Sequence, residues 1–207
     1  MSTARESLLD AALSALAGLP WSGVRMVDVA SAAGVSRQTL YNEFGSKHGL
    51  ARALVRREAD VYLRGVDRVL AEHADPTDRL VHIAEWTVGA ARSSALVRAL
   101  LTGCWSERLP APSRRTTATV SPVPAQRRAD AGVPGPAELL AAVRDRACAA
   151  LEKEVPGADP AELWRFCETA VRLGLSYVVA RAGTAEGSSA HIRAVLAVVP
   201  VRPTGRA

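Results

Sequence analysis

Aromatic side chains are scarce in this chain. Two Phe, three Tyr and four Trp make up 4% of 207 residues, so any core must be built from Ala, Leu and Val. Lysine is scarcer still: Lys47 and Lys153 stand against 24 arginines. The three cysteines, Cys104, Cys148 and Cys167, are odd in number and far apart, which excludes a disulfide framework and any metal-ligand spacing. No run of about 18 apolar residues occurs, so no membrane span is expected. Arg5 and Glu6 interrupt the start, and the apolar positions after them are helically spaced, so no signal peptide is expected. There is no Ser-His-Asp order, no Gly-rich phosphate loop and no HExxH, and His48, His73, His82 and His191 are scattered. These absences argue against an enzyme, a metal site or a cofactor, and fit a protein of the reducing cytoplasm.

Apolar residues make up 48% of the chain, enough for a sizeable core. Few stretches alternate with the period of a strand. Ala and Leu are strong helix formers, so the expected fold class is all-α. The net charge is +5, and its excess is densest at the start: residues 1–57 hold seven basic and four acidic side chains. That balance suits a polyanionic partner.

Helix signals follow one another along the chain. Thr3 and Glu6 have capping-box spacing, with Leu9, Leu13 and Leu16 on one face and Gly18-Leu-Pro20 as the stop. A short helix is expected from Met26 to Ala33, ended by Gly34. Ser36 can cap the next, whose inward residues are Leu40 and Phe44. A long helix runs from Lys47 to about Ala71 with Leu50, Leu54, Val61, Gly65, Val66 and Val69 on its stripe. Further helices are expected from Pro76, over about 94–107, 137–155, 160–181 and 189–199. Between the sixth and seventh of these helices, residues 109–136 carry six prolines and four arginines, which predicts a long mobile loop.

The helix after Ser36 is unusual in what it turns outward. With Leu40 and Phe44 inside, Gln38 and Asn42 lie nearly opposite, flanked by Thr39 and Tyr41, and Arg37 reaches out from the first turn. A helix, a glycine turn and a second helix form the arrangement that enters a DNA major groove by the N-terminal end of its second helix. Gln and Asn can donate to and accept from an adenine edge, and Arg prefers guanine. Ser36, Tyr41 and Lys47 suit phosphates, Lys47 beside a helix N-terminus that itself attracts anions.

The run VDVASAAGVSRQTLYNEFGSKHGL closely resembles the N-terminal DNA-binding domain of TetR-family transcriptional regulators. The likeness rests on Ala30, Ala33, Gly34, Val35, Ser36, Leu40, Tyr41, Phe44, Ser46, Lys47 and Leu50. One position departs: Arg25 stands where the family commonly caps its second helix with Thr or Ser, and Arg25 can instead reach a phosphate. The resemblance implies a helix-turn-helix domain over residues 1–50 and a helical regulatory and dimerisation domain over 51–200. It further implies a homodimer on a palindromic double-stranded operator and a small-molecule effector.

Beyond residue 50 the resemblance is one of layout. The wide apolar arc of residues 160–181, broader than a one-sided helix needs, suits a dimer face shared with residues 189–199. By layout an effector pocket falls among His82, Trp86, Leu101, Trp105, Leu140, Trp164 and Cys167. That lining is mostly apolar, so the expected effector is apolar or amphiphilic. The expected function is a ligand-responsive regulator, a repressor released by its effector. The alternative is a cysteine redox sensor on the same scaffold.

Overall fold

Most of the helices begin where a side chain can take up a free backbone N–H. In a computed structural model describing residues 3–72, 75–112, 132–155, 157–180 and 185–197, Thr3 accepts from Glu6, Ser36 from Thr39 and Asp75 from Asp78. Ser94 accepts from Val97 and Asp159 from Ala161. Such caps satisfy donors that the helix itself cannot, at about 1 kcal/mol each. The resulting helices are α1 (Ala4–Gly18), α2 (Met26–Ala32), α3 (Arg37–Phe44), α4 (Lys47–Glu72), α5 (Pro76–Ser93), α6 (Ala95–Thr102), α7 (Pro136–Leu151), α8 (Pro160–Val179) and α9 (Ala185–Ala197). A 3-10 turn, Trp21–Gly23, precedes α2, and no strand occurs among the described residues. The all-α expectation holds.

Some boundaries differ from the sequence reading. The helix expected to run to residue 107 stops at Thr102, because Gly103 takes a left-handed φ of 72° and its N–H closes on Ala99. The helix α9 starts at Ala185 rather than 189. Of the expected mobile loop, residues 113–131 lie outside the described residues, as does His73. Val61, expected on the inner stripe of α4, is 44% exposed. Burial there follows Val55, Ala59, Tyr62, Val66 and Val69, and adjacent residues point about 100° apart.

The chain divides into two compact units. The first takes in Met1–Glu58 and Cys104–Pro134, the second Ala59–Gly103 and Gly135–Ala207. The core of the first includes Leu8, Leu9, Ala12, Val29, Ala30, Leu40, Phe44, Leu50 and Leu54. In the second, α5 packs against α8 and α9, and α7 also lies on α8. The approach of α8 to α5 is close: a Cβ on Gly174 would sit 3.1 Å from the Ala84 Cα.

The C-terminal half of α4 is fastened to α5 by one interlocking set of contacts. Trp86 fills the place a side chain at Gly65 would need, since a Cβ there would lie 2.0 Å from the indole Cζ2. Its Nε1–H donates to the Tyr62 carbonyl at 3.2 Å, and the Arg68 guanidinium lies 5.1 Å from the ring centroid. The Thr87 hydroxyl spends its hydrogen on the Ile83 carbonyl at 2.8 Å, so the buried Tyr62 hydroxyl donates to Thr87 Oγ1 at 2.9 Å.

Two measurements check this packing. Gly65→Ala is expected to cost roughly 1–3 kcal/mol in urea unfolding, since the methyl must displace Trp86. Gly89→Ala, in the same layer with open space around it, is expected to gain about 0.5–1 kcal/mol. Burial pushes the Tyr62 phenol up to about 12. An unfolded tyrosine ionises near pH ~10. The folded value being the higher, the stability this site contributes is complete below that pH and is lost as pH rises through the folded value. A tyrosinate absorbance titration of Tyr62→Phe is expected to lack the latest-ionising step of the native protein.

Candidate nucleic-acid interface

Two glycines set the path of the chain into and out of α3. Gly34 takes a φ of 68° and Gly45 one of 70°, left-handed values that side chains rarely adopt. Between them, the Val35 N–H returns to the Ala30 carbonyl at 3.0 Å, and the Gly45 N–H closes on Tyr41 at 2.8 Å. The next turn is so tight that a Cβ on Gly49 would lie 1.9 Å from the Phe44 carbonyl oxygen. Leu40 and Phe44 are buried behind the helix. Arg5 of α1 covers that side, its guanidinium 4.7 Å from the Phe44 ring centroid and its Nη1 3.4 Å from Glu43 Oε2.

With its back fixed, α3 turns a polar face outward. Ser36, Arg37, Gln38, Tyr41 and Asn42 are exposed, and Thr39 is half-buried. Ser36 Oγ accepts the Thr39 N–H at 3.0 Å and lies 2.8 Å from the Thr39 hydroxyl. Gln38 Nε2 donates to Asn42 Oδ1 at 2.8 Å. Tyr41 is 41% exposed, its ring beside the polar groups rather than in the core. Lys47, at the start of α4, donates to the Ser22 carbonyl at 3.1 Å and lies 5.2 Å from the Trp21 ring centroid. Partial burial lowers its pKa from the ordinary value.

Arg25 occupies the cap position of α2 without giving a capping bond. Its Nε and Nη2 instead grip both oxygens of Asp28 at 2.7 and 3.1 Å. The guanidinium stays largely open to solvent but is held over the first turn of its own helix. Sequence reasoning did not find Arg5, Trp21 or Ser22, which hold α3 and Lys47 in position. Their partners are 20 or more positions away, beyond the reach of helical spacing.

The seven residues grouped for an effector are dispersed in character. Leu101 and Cys167 are fully buried, Trp86 serves the α4–α5 contact, and Leu140 is half-buried. Trp164 is 45% exposed, with Arg144 stacked 5.0 Å from its ring centroid. His82 Nδ1 lies 2.7 Å from the Asp78 carbonyl of its own helix. Trp105 falls within the first unit, the other six within the second. A cleft of about 310 Å³ in the second unit is lined by other residues, among them Leu151, Val155, Leu163, Phe166 and Leu196. Another, of about 400 Å³, carries Arg79, Arg146 and Lys153 beside Asp67 and Glu154.

Comparison with known proteins agrees with the geometry of the first unit. The profile of the tetR family of bacterial regulatory proteins matches residues 8–54. The HTH-type transcriptional regulator AlkX of Mycobacterium tuberculosis is 52% identical over 67 residues, a stretch that takes in 32% of this chain and 30% of that protein's length. The crystal structure of the TetR family repressor AlkX from a Dietzia strain, implicated in n-alkane biodegradation, superposes with a TM-score of 0.51 at 23% identity, over 94% of this chain and 96% of that one. FadR of Bacillus subtilis, solved with stearoyl-CoA, does so with a TM-score of 0.52 at 13% identity, over 94% and 98%. The profile falls on α1–α3 and the start of α4, the elements that build the outward face of α3, so this N-terminal segment is similar to the DNA-binding domain of the tetR family of bacterial regulatory proteins, while the chain spans less than a third of the length of the curated relative it matches.

Proposed function

We propose that the chain is a ligand-responsive transcriptional repressor of the cytoplasm. It binds a palindromic operator as a homodimer, inserting α3 of each copy into successive major grooves. The observation that carries this reading is the exposed run of Arg37, Gln38, Tyr41 and Asn42 over a back sealed by Leu40 and Phe44. Arg37, Gln38, Thr39 and Asn42 address base edges. Ser36, Tyr41, Lys47 and Arg25 address phosphates, which fix register without reading sequence. Residues 1–50 carry this interface, and residues 51–200 carry regulation and dimerisation. The helices α8 and α9 form the dimer face, a role supported by the exposure of Val179 on α8.

The effector in this reading is a small apolar or amphiphilic molecule. Support comes from the apolar residues lining the 310 Å³ cleft and from relatives of the same fold implicated in n-alkane degradation or bound to stearoyl-CoA. A coupling of about 1–3 kcal/mol suffices for a 5–150-fold change in operator affinity.

Fluorescence anisotropy on a duplex selected by the native protein tests the interface. Tyr41→Ala and Lys47→Ala are expected to weaken binding to all sequences, and Lys47→Ala, which removes a charge, to lower the salt slope by about one. Gln38→Ala is expected to relax the preference at one base pair. Equal affinity of all three variants for every sequence would refute the assignment. For the effector, titration with alkanols, fatty acids and their CoA thioesters is expected to release the duplex for at least one class. Unchanged anisotropy across all of them counts against an apolar or amphiphilic effector.

A further inference from the structure

The bond between Gln38 and Asn42 has a consequence for how the two side chains read DNA. A free carboxamide offers one acceptor oxygen and two N–H donors, which is why Gln or Asn can match adenine in two places at once. Here the two amides are not independent. Gln38 Nε2 donates to Asn42 Oδ1 at 2.8 Å, one helical turn on, with both side chains exposed on α3. Spacing of four along a helix brings such pairs together, and Gln with Asn is one that forms.

Forming that bond divides the work. Gln38 uses one amide hydrogen and keeps its Oε1 and its other N–H, the complement that adenine N6–H and N7 require. Asn42 turns its carbonyl back along the helix toward Gln38. Two Nδ2 hydrogens remain to it, so toward the groove it is a donor. It then matches acceptors, thymine O4 or guanine O6 and N7, and not the adenine amino group. The bond also holds Gln38 in one orientation, reducing the side-chain freedom lost when it meets a base.

We propose that Gln38 and Asn42 form one reading unit, in which Asn42 both orients Gln38 toward an adenine and itself donates to an acceptor on a neighbouring base pair. This rests on α3 being the operator-reading helix. It adds an assignment that neither side chain has alone: Asn42 is a positioning residue for the base that Gln38 contacts.

The test is selection from a duplex library with a randomised central segment, performed with the full-length protein and four variants. Gln38→Ala locates the base pair read by Gln38, as the position whose preference disappears. Asn42→Ala is expected to lower the A·T preference at that same position at least five-fold, besides losing preference at its own. Asn42→Asp retains an acceptor for Gln38 but has no donors. It is expected to keep the A·T preference at the Gln38 position and lose the thymine or guanine preference at the neighbouring one. The Gln38→Ala, Asn42→Ala double variant is expected to be no worse at the Gln38 position than Gln38→Ala alone. If Asn42→Ala leaves the Gln38 position unchanged, or Asn42→Asp abolishes it as fully as Asn42→Ala does, the coupling is refuted while operator reading stands. If the native protein enriches no sequence, the operator reading fails and this proposal with it.

Discussion

Burial of Leu40 and Phe44 is the constraint on which the reading of this protein depends. The eight residues of α3 are too few to be a stable helix on their own. Packing of those two side chains into the first unit holds the helix and fixes its rotation at once. Each contributes on the order of 1.5–3 kcal/mol by leaving water. Stacking of Arg5 on Phe44 seals the edge of the contact and adds an ion pair to Glu43. With that side fixed, the opposite side has no freedom to be apolar or polar at will. It is whatever residues 37, 38, 41 and 42 happen to be, and here they are two amides, a phenol and a guanidinium.

Much of this was legible in the sequence because the determinants are local. Thr3, Ser36, Asp75 and Asp159 each cap the helix they precede, and proline at the first helical position marks the start of α5 and α8. Leu40 and Phe44 are four apart, so their common face follows from helix geometry alone. Elements that depend on a distant partner were not legible. Val61 lies outside and Tyr62 inside because Thr87, 25 residues on, offers the phenol a partner. Trp86, grouped with an effector by layout, is committed to Gly65 and the Tyr62 carbonyl. Helical spacing says which residues share a face but not what meets that face.

The same limit applies to Arg25. At the head of α2, where an oxygen-bearing side chain is common, Arg25 offers no capping oxygen, and the sequence suggests a phosphate contact instead. The bidentate grip on Asp28 supplies another use. It draws a carboxylate over the first turn of α2, where the helix dipole favours negative charge, and keeps the guanidinium at the surface. The surface ion pair stands where a side-chain cap would be, without a hydrogen bond to the backbone. The guanidinium remains available to a phosphate, but only in competition with Asp28.

Burial also weighs on the choice between a bound effector and a thiol as the regulatory trigger. Oxidation and exchange proceed through the thiolate. Burial pushes the Cys167 thiol up from its ordinary value, with Cys148 close enough to add to the shift. Burial raises Cys148 as well, against a smaller opposing effect of its hydrogen bond to Cys167 and of Arg144. Each group is therefore held in its protonated, slow-reacting form at neutral pH, the reverse of the environment in which sensor cysteines act. Packed between α7 and α8, these thiols behave as small apolar side chains.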